Sequence, residues 1–289
     1  MRSRSISAGR RNGGALILAA ALSFLVAPAN AQNGADIVGG RAGDTLRYPF
    51  VAALSRTTGG ARVYFCAGTL IAPSWILTAA HCFSARSGAR IGVTGLWAEV
   101  GNAWLEQVPP EAQVAVARIY IHPRYDAASQ DNDIALVRLA QPAGPLTADY
   151  ASGPRADPAQ ATALGFGALY EGSLARTARL RNGGLASQVG DRLRQALVQT
   201  ISPRACAERL GIAGAATGAV QICAGAGRDE TCVGDSGSPL VAEGPGGVDR
   251  VIGVVSFGTG CAEDLPVTVY TRVSAYAGWI AETMGQQGP

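Results

Sequence analysis

Lysine is absent from this chain of 289 residues, and all 24 of its basic residues are arginines. Only 16% of the residues are charged, and the formal net charge is +3. The residues up to Asp36 hold four arginines and one acid, so the rest of the chain is formally neutral, with 20 basic and 20 acidic residues. A nucleic-acid-binding surface needs a basic stripe. The composition therefore predicts no nucleic-acid partner.

Histidine is nearly as scarce, with two residues, and the six cysteines include no Cys-x-x-Cys pair. Because zinc sites draw on several such ligands at short spacing, we expect no metal site. In an exported chain, six cysteines indicate disulfides. The residues alone leave the pairing of these cysteines open.

The apolar run Ala15–Val26 is too short to cross a bilayer, which takes about 20 residues. It follows a segment with arginines at positions 2, 4, 10 and 11, and it precedes Ala29-Asn30-Ala31. This order is typical of a secretory signal peptide with a small-residue cleavage site. We predict a signal peptide over residues 1–31 and a short propeptide over residues 32–36, and hence a secreted or periplasmic protein. A twin-arginine signal at Arg10-Arg11 and an uncleaved anchor are the alternatives.

Glycine and proline are abundant, with 38 and 15 residues, which favours an all-β protein with many turns. The first group of predicted strands comprises Phe50–Leu54, Val63–Ala67, Trp75–Thr78, Val114–Ile121 and Ile134–Leu139. After a linker, the second group comprises Ala161–Gly165, Leu193–Ile201, Gln221–Ala224, Pro239–Val241, Arg250–Phe257 and Val267–Arg272. Short helices are predicted over Ser202–Leu210 and Ser274–Thr283.

Three short motifs together supply the groups for nucleophilic catalysis. They read Leu77-Thr-Ala-Ala-His-Cys82, Asp131-Asn-Asp-Ile-Ala-Leu136 and Cys232-Val-Gly-Asp-Ser-Gly-Ser-Pro239. A serine hydroxyl needs a neighbouring base, and the base needs an orienting group. The order His, Asp, Ser along the chain is one of the known orders of a Ser-His-Asp triad. With these motifs, the chain resembles the chymotrypsin/trypsin family of serine endopeptidases from Ile37 to about Ile280.

The resemblance implies a fold of two six-stranded antiparallel β-barrels with a C-terminal helix. Within a peptidase domain over residues 37–289, the barrels would cover about 50–145 and 160–273, and the helix about 274–283. The catalytic residues would lie in the cleft between the barrels. The resemblance also implies three disulfides, which pair Cys66 with Cys82, Cys206 with Cys223, and Cys232 with Cys261.

In this resemblance Ser236 is the nucleophile, His81 the base and Asp133 the group that orients the imidazole. Asp131 competes by spacing, but Asp133 is preferred because it directly precedes an apolar strand, as the family's aspartate does. The other histidine, His122, is interpreted as a structural or incidental residue in a surface loop that contains a proline.

Further residues acquire roles in substrate binding. Backbone N–H groups of Gly234 and Ser236 would stabilise the oxyanion, and Ser256-Phe257-Gly258 would pair with an extended substrate. The specificity pocket would include Glu230, Thr231 and Thr268. Glu230 favours Arg or Lys before the cut, whereas Thr268 narrows the pocket and favours small side chains.

Activation is implied by Ile37-Val-Gly-Gly40, which resembles the family's mature N-terminus. The free amine of Ile37 would pair with Asp235 and order the pocket. Asp36 is not basic, so we expect another protease, or an aminopeptidase, to remove the propeptide.

No calcium-binding loop is recognisable between Gly92 and Gln113. The arginine-rich segment 169–191 is interpreted as a surface loop, with an exosite as the alternative.

The sequence therefore predicts an exported serine endopeptidase that acts on proteins or peptides through an acyl-enzyme and needs no metal or organic cofactor. It is expected to be a monomer, free of the membrane after signal cleavage, and open to protein inhibitors. A non-catalytic binding protein on the same fold is one alternative. An esterase-like hydrolase is another, although Gly234-Asp-Ser-Gly237 is not a Gly-x-Ser-x-Gly elbow.

Overall fold

A computed structural model gives the architecture of the chain. It describes Met1 and residues 41–85, 87–105, 108–109, 112–153, 157–167, 192–211, 218–225, 235–259 and 267–286. The predicted signal peptide, propeptide and new N-terminus at Ile37 lie outside the described residues. So do the predicted site residues Glu230, Thr231 and Gly234, the third disulfide, Cys232–Cys261, and the segment 169–191.

Six antiparallel strands close into the first barrel, in the order β2-β3-β4-β7-β6-β5. Apolar side chains on these strands are buried together and form most of a continuous core. The strands are β2 (Val51–Thr58), β3 (Ala61–Ala72), β4 (Trp75–Thr78), β5 (Leu96–Val100), β6 (Gln113–Ile121) and β7 (Ala135–Leu139).

The second barrel is formed by six antiparallel strands, because β9 pairs with both β10 and β12 and so closes the sheet. Two short strands, β1 (Arg41–Ala42) and β8 (Asp149–Tyr150), add to β10 and β13. The barrel strands are β9 (Gln160–Gly165), β10 (Arg194–Ile201), β11 (Gln221–Gly225), β12 (Pro239–Glu243), β13 (Asp249–Gly258) and β14 (Thr268–Arg272).

Two α-helices accompany the barrels. Helix α1 (Pro203–Leu210) begins where its signals predict, because the Ser202 hydroxyl accepts a hydrogen bond from the Ala205 N–H and a proline occupies the first turn. Helix α2 (Ala277–Gly285) follows a 3₁₀ turn over Val273–Tyr276. Further 3₁₀ turns cover Ala80–Phe83 and Pro245–Gly247. Neither α-helix in the described ranges has the length and apolar character needed to cross a membrane.

The predicted fold class, two six-stranded antiparallel barrels with a C-terminal helix, is confirmed. One barrel strand, β5, is absent from the sequence-based strand set. Two disulfides join Cys66 to Cys82 and Cys206 to Cys223, with S–S distances of 2.01 and 1.99 Å. These are two of the three pairings that the resemblance implies. The first links β3 to the 3₁₀ turn that carries His81, and the second links α1 to β11.

The placement of His122 in a surface loop is wrong. Its side chain is buried, with a residue exposure of 5%, because the C-terminal segment packs over it. The imidazole lies edge-on to the rings of Tyr276 and Trp279, with centroid distances of 5.0 Å to each. Its Nδ1 accepts a hydrogen bond from the Arg124 N–H at 3.3 Å. Burial, and then the charge of Arg124, lower the pKa of His122 below its usual value.

This lowered pKa makes stability depend on pH. Above the unfolded value of about 6.5, His122 is neutral in both states and its contribution to stability is intact. Below that value the unfolded chain binds the proton first, so stability falls until the pH passes the lower folded pKa. Resistance to unfolding by urea should therefore fall as the pH drops below about 6.5, and it should fall less in His122→Asn, which keeps an acceptor for Arg124. Equal losses in both proteins would contradict the assignment.

Candidate active site

His81 and Asp133 contact each other through two hydrogen bonds. The backbone N–H of His81 donates to Asp133 Oδ1 at 2.8 Å, and its Nδ1 lies 2.7 Å from Asp133 Oδ2. An ionised carboxylate only accepts, so Nδ1 carries the proton and Nε2 is left with a free lone pair. The imidazole is partly open, with a side-chain exposure of 20%, whereas Asp133 is completely buried. His81 can therefore act as a base at the surface while Asp133, its charge partner, is shielded from water.

Ser256 supplies a third donor to the same carboxylate. Its hydroxyl donates to Asp133 Oδ2 at 2.5 Å, and the residue is buried at the end of β13. The sequence placed Ser256 only among substrate-binding residues, because nothing local relates it to Asp133. The competing residue Asp131 is exposed, and its backbone accepts from the Asp126 N–H. The structure thus brings Asp133, not Asp131, to His81.

The turn that carries Ser236 packs directly on the segment that precedes His81. A Cβ at Gly237 would lie 2.3 Å from Thr78 Oγ1 and 2.4 Å from the Ala67 carbonyl oxygen, and Gly237 has a φ of +81°. Only glycine meets both demands at once. The carbonyl of Ser236 accepts from the Ala67 N–H at 2.8 Å. Two of the three motifs are therefore in contact through Gly237.

The same turn is tied to the second barrel. The Gly237 N–H donates to the Val255 carbonyl at 3.0 Å, and the Val255 N–H donates to the Ser238 carbonyl at 2.9 Å. Val255 directly precedes Ser256, which holds Asp133. Strand β13 consequently links the Ser236 turn to the His81–Asp133 pair, and residues from all three motifs lie at one junction of the two barrels.

Asp235 lies beneath this turn and is completely buried. Its Oδ1 accepts from the Gly167 N–H at 2.7 Å. The carboxylate fits closely against two glycines, because a Cβ at Gly165 would lie 1.9 Å from Oδ1 and one at Gly167 would lie 2.2 Å from Oδ2. Burial, and then the charge of Asp235, raise the pKa of Tyr64 well above its usual value. The sequence named Asp235 but not the glycines that shape its pocket.

Gly165→Ala should displace the Asp235 carboxylate and, with it, the adjoining Ser236. We expect a loss of roughly 10²-fold in kcat/KM for peptide hydrolysis, because misplacing a reacting group by about 1 Å costs that much. Overpacking should also lower stability by about 1–3 kcal/mol. Gly153→Ala is the matched control, since no atom lies within 4 Å of its Cβ position. Unchanged kinetics of Gly165→Ala would refute the proposed role of this contact.

Of the predicted specificity pocket, the structure describes the wall formed by Thr268 and Gly258. Thr268 is 4% exposed and pairs across the sheet with Gly258. A Cβ at Gly258 would lie 2.7 Å from the Val267 carbonyl oxygen and 3.6 Å from Thr268 Oγ1. The threonine hydroxyl therefore faces the position that Gly258 leaves open. Phe257 beside it is partly exposed.

Within the described ranges, one group of side chains could formally hold a metal. Ligand atoms of Cys66, His81 and Cys82 lie within 4.8 Å of one another. The two sulfurs are joined in a disulfide, so neither offers a thiolate, which is the form that binds metals.

A cavity of about 310 Å³ lies on the second barrel, and its lining includes Asp157, Arg250 and Arg272. It shares no residue with the site described above.

Comparisons with known proteins identify relatives of this chain. The trypsin family profile matches residues 37–280. Serine protease 56 of Mus musculus is 34% identical over 86% of this chain, which covers 38% of that protein. Coagulation factor XII of Sus scrofa is 33% identical over 85% of this chain, which covers 39% of that protein. Trypsin of Squalus acanthias is 32% identical over 76% of this chain, which covers 86% of that protein. The chain thus spans about two fifths of the first two relatives and most of the third. It belongs to the chymotrypsin/trypsin-like family of serine endopeptidases.

Proposed function

We propose that this chain is a secreted serine endopeptidase in which His81, Asp133 and Ser236 act as one catalytic unit. The observation that carries the proposal is the His81–Asp133 contact of 2.7 Å at the junction where the Ser236 turn packs. Family membership and the leader-like N-terminal sequence support the activity and the export.

The reaction follows from the arrangement of protons. His81 Nε2 takes the Ser236 hydroxyl proton while Oγ attacks the scissile carbonyl carbon, and Asp133 stabilises the imidazolium. Backbone N–H groups of Gly234 and Ser236 would bind the oxyanion. His81 then gives the proton to the leaving amine, which leaves an acyl-enzyme. Water, deprotonated by His81, hydrolyses that ester and regenerates Ser236.

An open strand edge supports a peptide substrate. Strand β12 pairs with β13 only as far as Val254. Beyond that point, no strand of the described chain pairs with this edge of Ser256–Gly258, whose other edge faces β14. An extended peptide that adds to this edge would gain main-chain hydrogen bonds. Ser256 would then face Asp133 with its side chain while its backbone binds substrate.

We expect cleavage after Arg, and then Lys, because Glu230 would occupy the base of the pocket. Removing one partner of a buried charge pair costs about 2–5 kcal/mol, so Glu230→Gln should sharply reduce kcat/KM for Arg substrates. The buried Thr268 opposite Gly258 favours a second candidate, a preference for small residues. A peptide library varied at the residue before the cut separates them: faster cleavage after Ala or Val than after Arg would support the second.

The activity itself is tested by Ser236→Ala in protein that begins at Ile37. Peptide hydrolysis should fall to background, because the nucleophile is lost. Ser152→Ala is the control, since Ser152 is exposed and lies outside the site. Hydrolysis at the wild-type rate by folded Ser236→Ala would refute the proposed function.

A further inference from the structure

In the segment that precedes strand β7, two residues have a left-handed backbone conformation. Gln130 and Asn132 have φ values of +58° and +54°, and they are the non-glycine residues with positive φ in the described ranges. A left-handed conformation is sterically unfavourable for an L-residue, and asparagine tolerates it better than most. Such a conformation persists where surrounding contacts determine it, and it is common at functional sites. Asn132 directly precedes Asp133.

Both ends of the Asn132 side chain are held. Its Nδ2 donates to the Arg124 carbonyl at 2.8 Å, and its Oδ1 accepts from the Tyr276 hydroxyl at 3.1 Å. Its own carbonyl accepts from the Ile134 N–H at 2.8 Å, which closes a tight turn around Asp133. The backbone on both sides of Asp133 is therefore fixed by Asn132.

The partner of Asn132 comes from the far end of the chain. Tyr276 ends the 3₁₀ turn before α2, is 3% exposed, and packs edge-on against His122. Burial is the main cause that raises the pKa of Tyr276 to about 12, so its hydroxyl remains a donor throughout the range in which a peptidase is assayed. Thr271, five residues earlier, donates its hydroxyl to the Asp133 carbonyl at 2.7 Å.

From these contacts we infer that Asn132 and Tyr276 are positioning residues, through which the C-terminal segment sets the Asp133 carboxylate against His81. The inference rests on the proposed function. Asp133 accepts from His81 through both carboxylate oxygens, so a rotation of its backbone cannot preserve both bonds. Neither Asn132 nor Tyr276 has a described contact with His81, so both act through Asp133.

The test compares Asn132→Gly with Gln130→Gly in chains that begin at Ile37. Glycine keeps the left-handed backbone available at both positions, but only the first change removes the hydrogen bonds to Arg124 and Tyr276. We expect Asn132→Gly to lower kcat by about tenfold per titrated site while KM stays within about twofold. Gln130→Gly should match the wild type.

The pH profile distinguishes positioning from stability. A misplaced Asp133 should displace the acid limb of the kcat/KM profile in Asn132→Gly, because His81 loses its charge partner. Tyr276→Phe, which removes one hydroxyl, should shift the limb in the same direction. Because both changes break the same bond, the double variant should lose less than the product of the two single losses.

Three results would overturn the inference: wild-type kcat and pH limb in Asn132→Gly, equal losses in Asn132→Gly and Gln130→Gly, or fully multiplicative losses in the double variant. In each case Ser236-dependent hydrolysis by the wild type would leave the proposed function standing. Hydrolysis that survives Ser236→Ala would instead overturn both.

Discussion

Asp133→Asn is expected to lower kcat for peptide hydrolysis by roughly 10²- to 10⁴-fold, the usual contribution of a positioned general base. The amide cannot accept from every donor that Asp133 now meets, and its NH₂ group favours the imidazole tautomer with the proton on Nε2. His81 would then be unable to take the Ser236 proton. Rates per titrated site, measured on several peptides, should show KM nearly unchanged.

Asp131→Asn is the matched control, two residues away. Asp131 is exposed and its carboxylate has no described contact with His81, so kcat should stay at the wild-type value. A large loss in Asp131→Asn, or none in Asp133→Asn, would show that the wrong aspartate has been assigned.

Protein that still begins at Gln32 is expected to be roughly 10²- to 10⁴-fold less active than protein that begins at Ile37. We propose that the Ile37 amine pairs with Asp235, and breaking a buried ion pair costs about 3–5 kcal/mol. Both forms can be prepared by engineered cleavage and compared on one peptide substrate.

Asp235→Asn supplies the internal check on activation. In the form that begins at Ile37 it should reduce activity about as much as the retained propeptide does. In the form that begins at Gln32 it should add little, because the same pair is already missing. Full activity of protein whose sequenced N-terminus is Gln32 would contradict the mechanism.

Local patterns revealed most of the barrels because short β-like runs are separated by turns rich in glycine, serine and proline. All six strands of the second barrel correspond to predicted ones. Strand β5 was missed because its Leu96-Trp-Ala-Glu-Val100 sequence carries a buried acid. Glu99 accepts from Ser55 and Arg62, so it occupies a strand position that its residue type disfavours. Those partners are distant in sequence, so no local pattern indicates them.

In the candidate site, too, local motifs were predictable and contacts between distant residues were not. The motifs named His81, Asp133 and Ser236, because each carries a local signature. The residues that hold Asp133 come from elsewhere: Ser256 is 123 positions away and Thr271 is 138 positions away. His122 was misplaced for the same reason, since its burial depends on the C-terminal segment. Contacts of this kind arise from barrel packing and have no counterpart in residue spacing.

The most direct test of the catalytic unit is covalent labelling by an organophosphonate, with the adduct located by peptide mass spectrometry. Protein that begins at Ile37 should carry one adduct, on Ser236. His81→Ala should acquire it roughly 10²- to 10⁴-fold more slowly, because the base that activates the hydroxyl is gone. An adduct on another residue, or an unlabelled Ser236 in protein that hydrolyses peptides, would contradict the account.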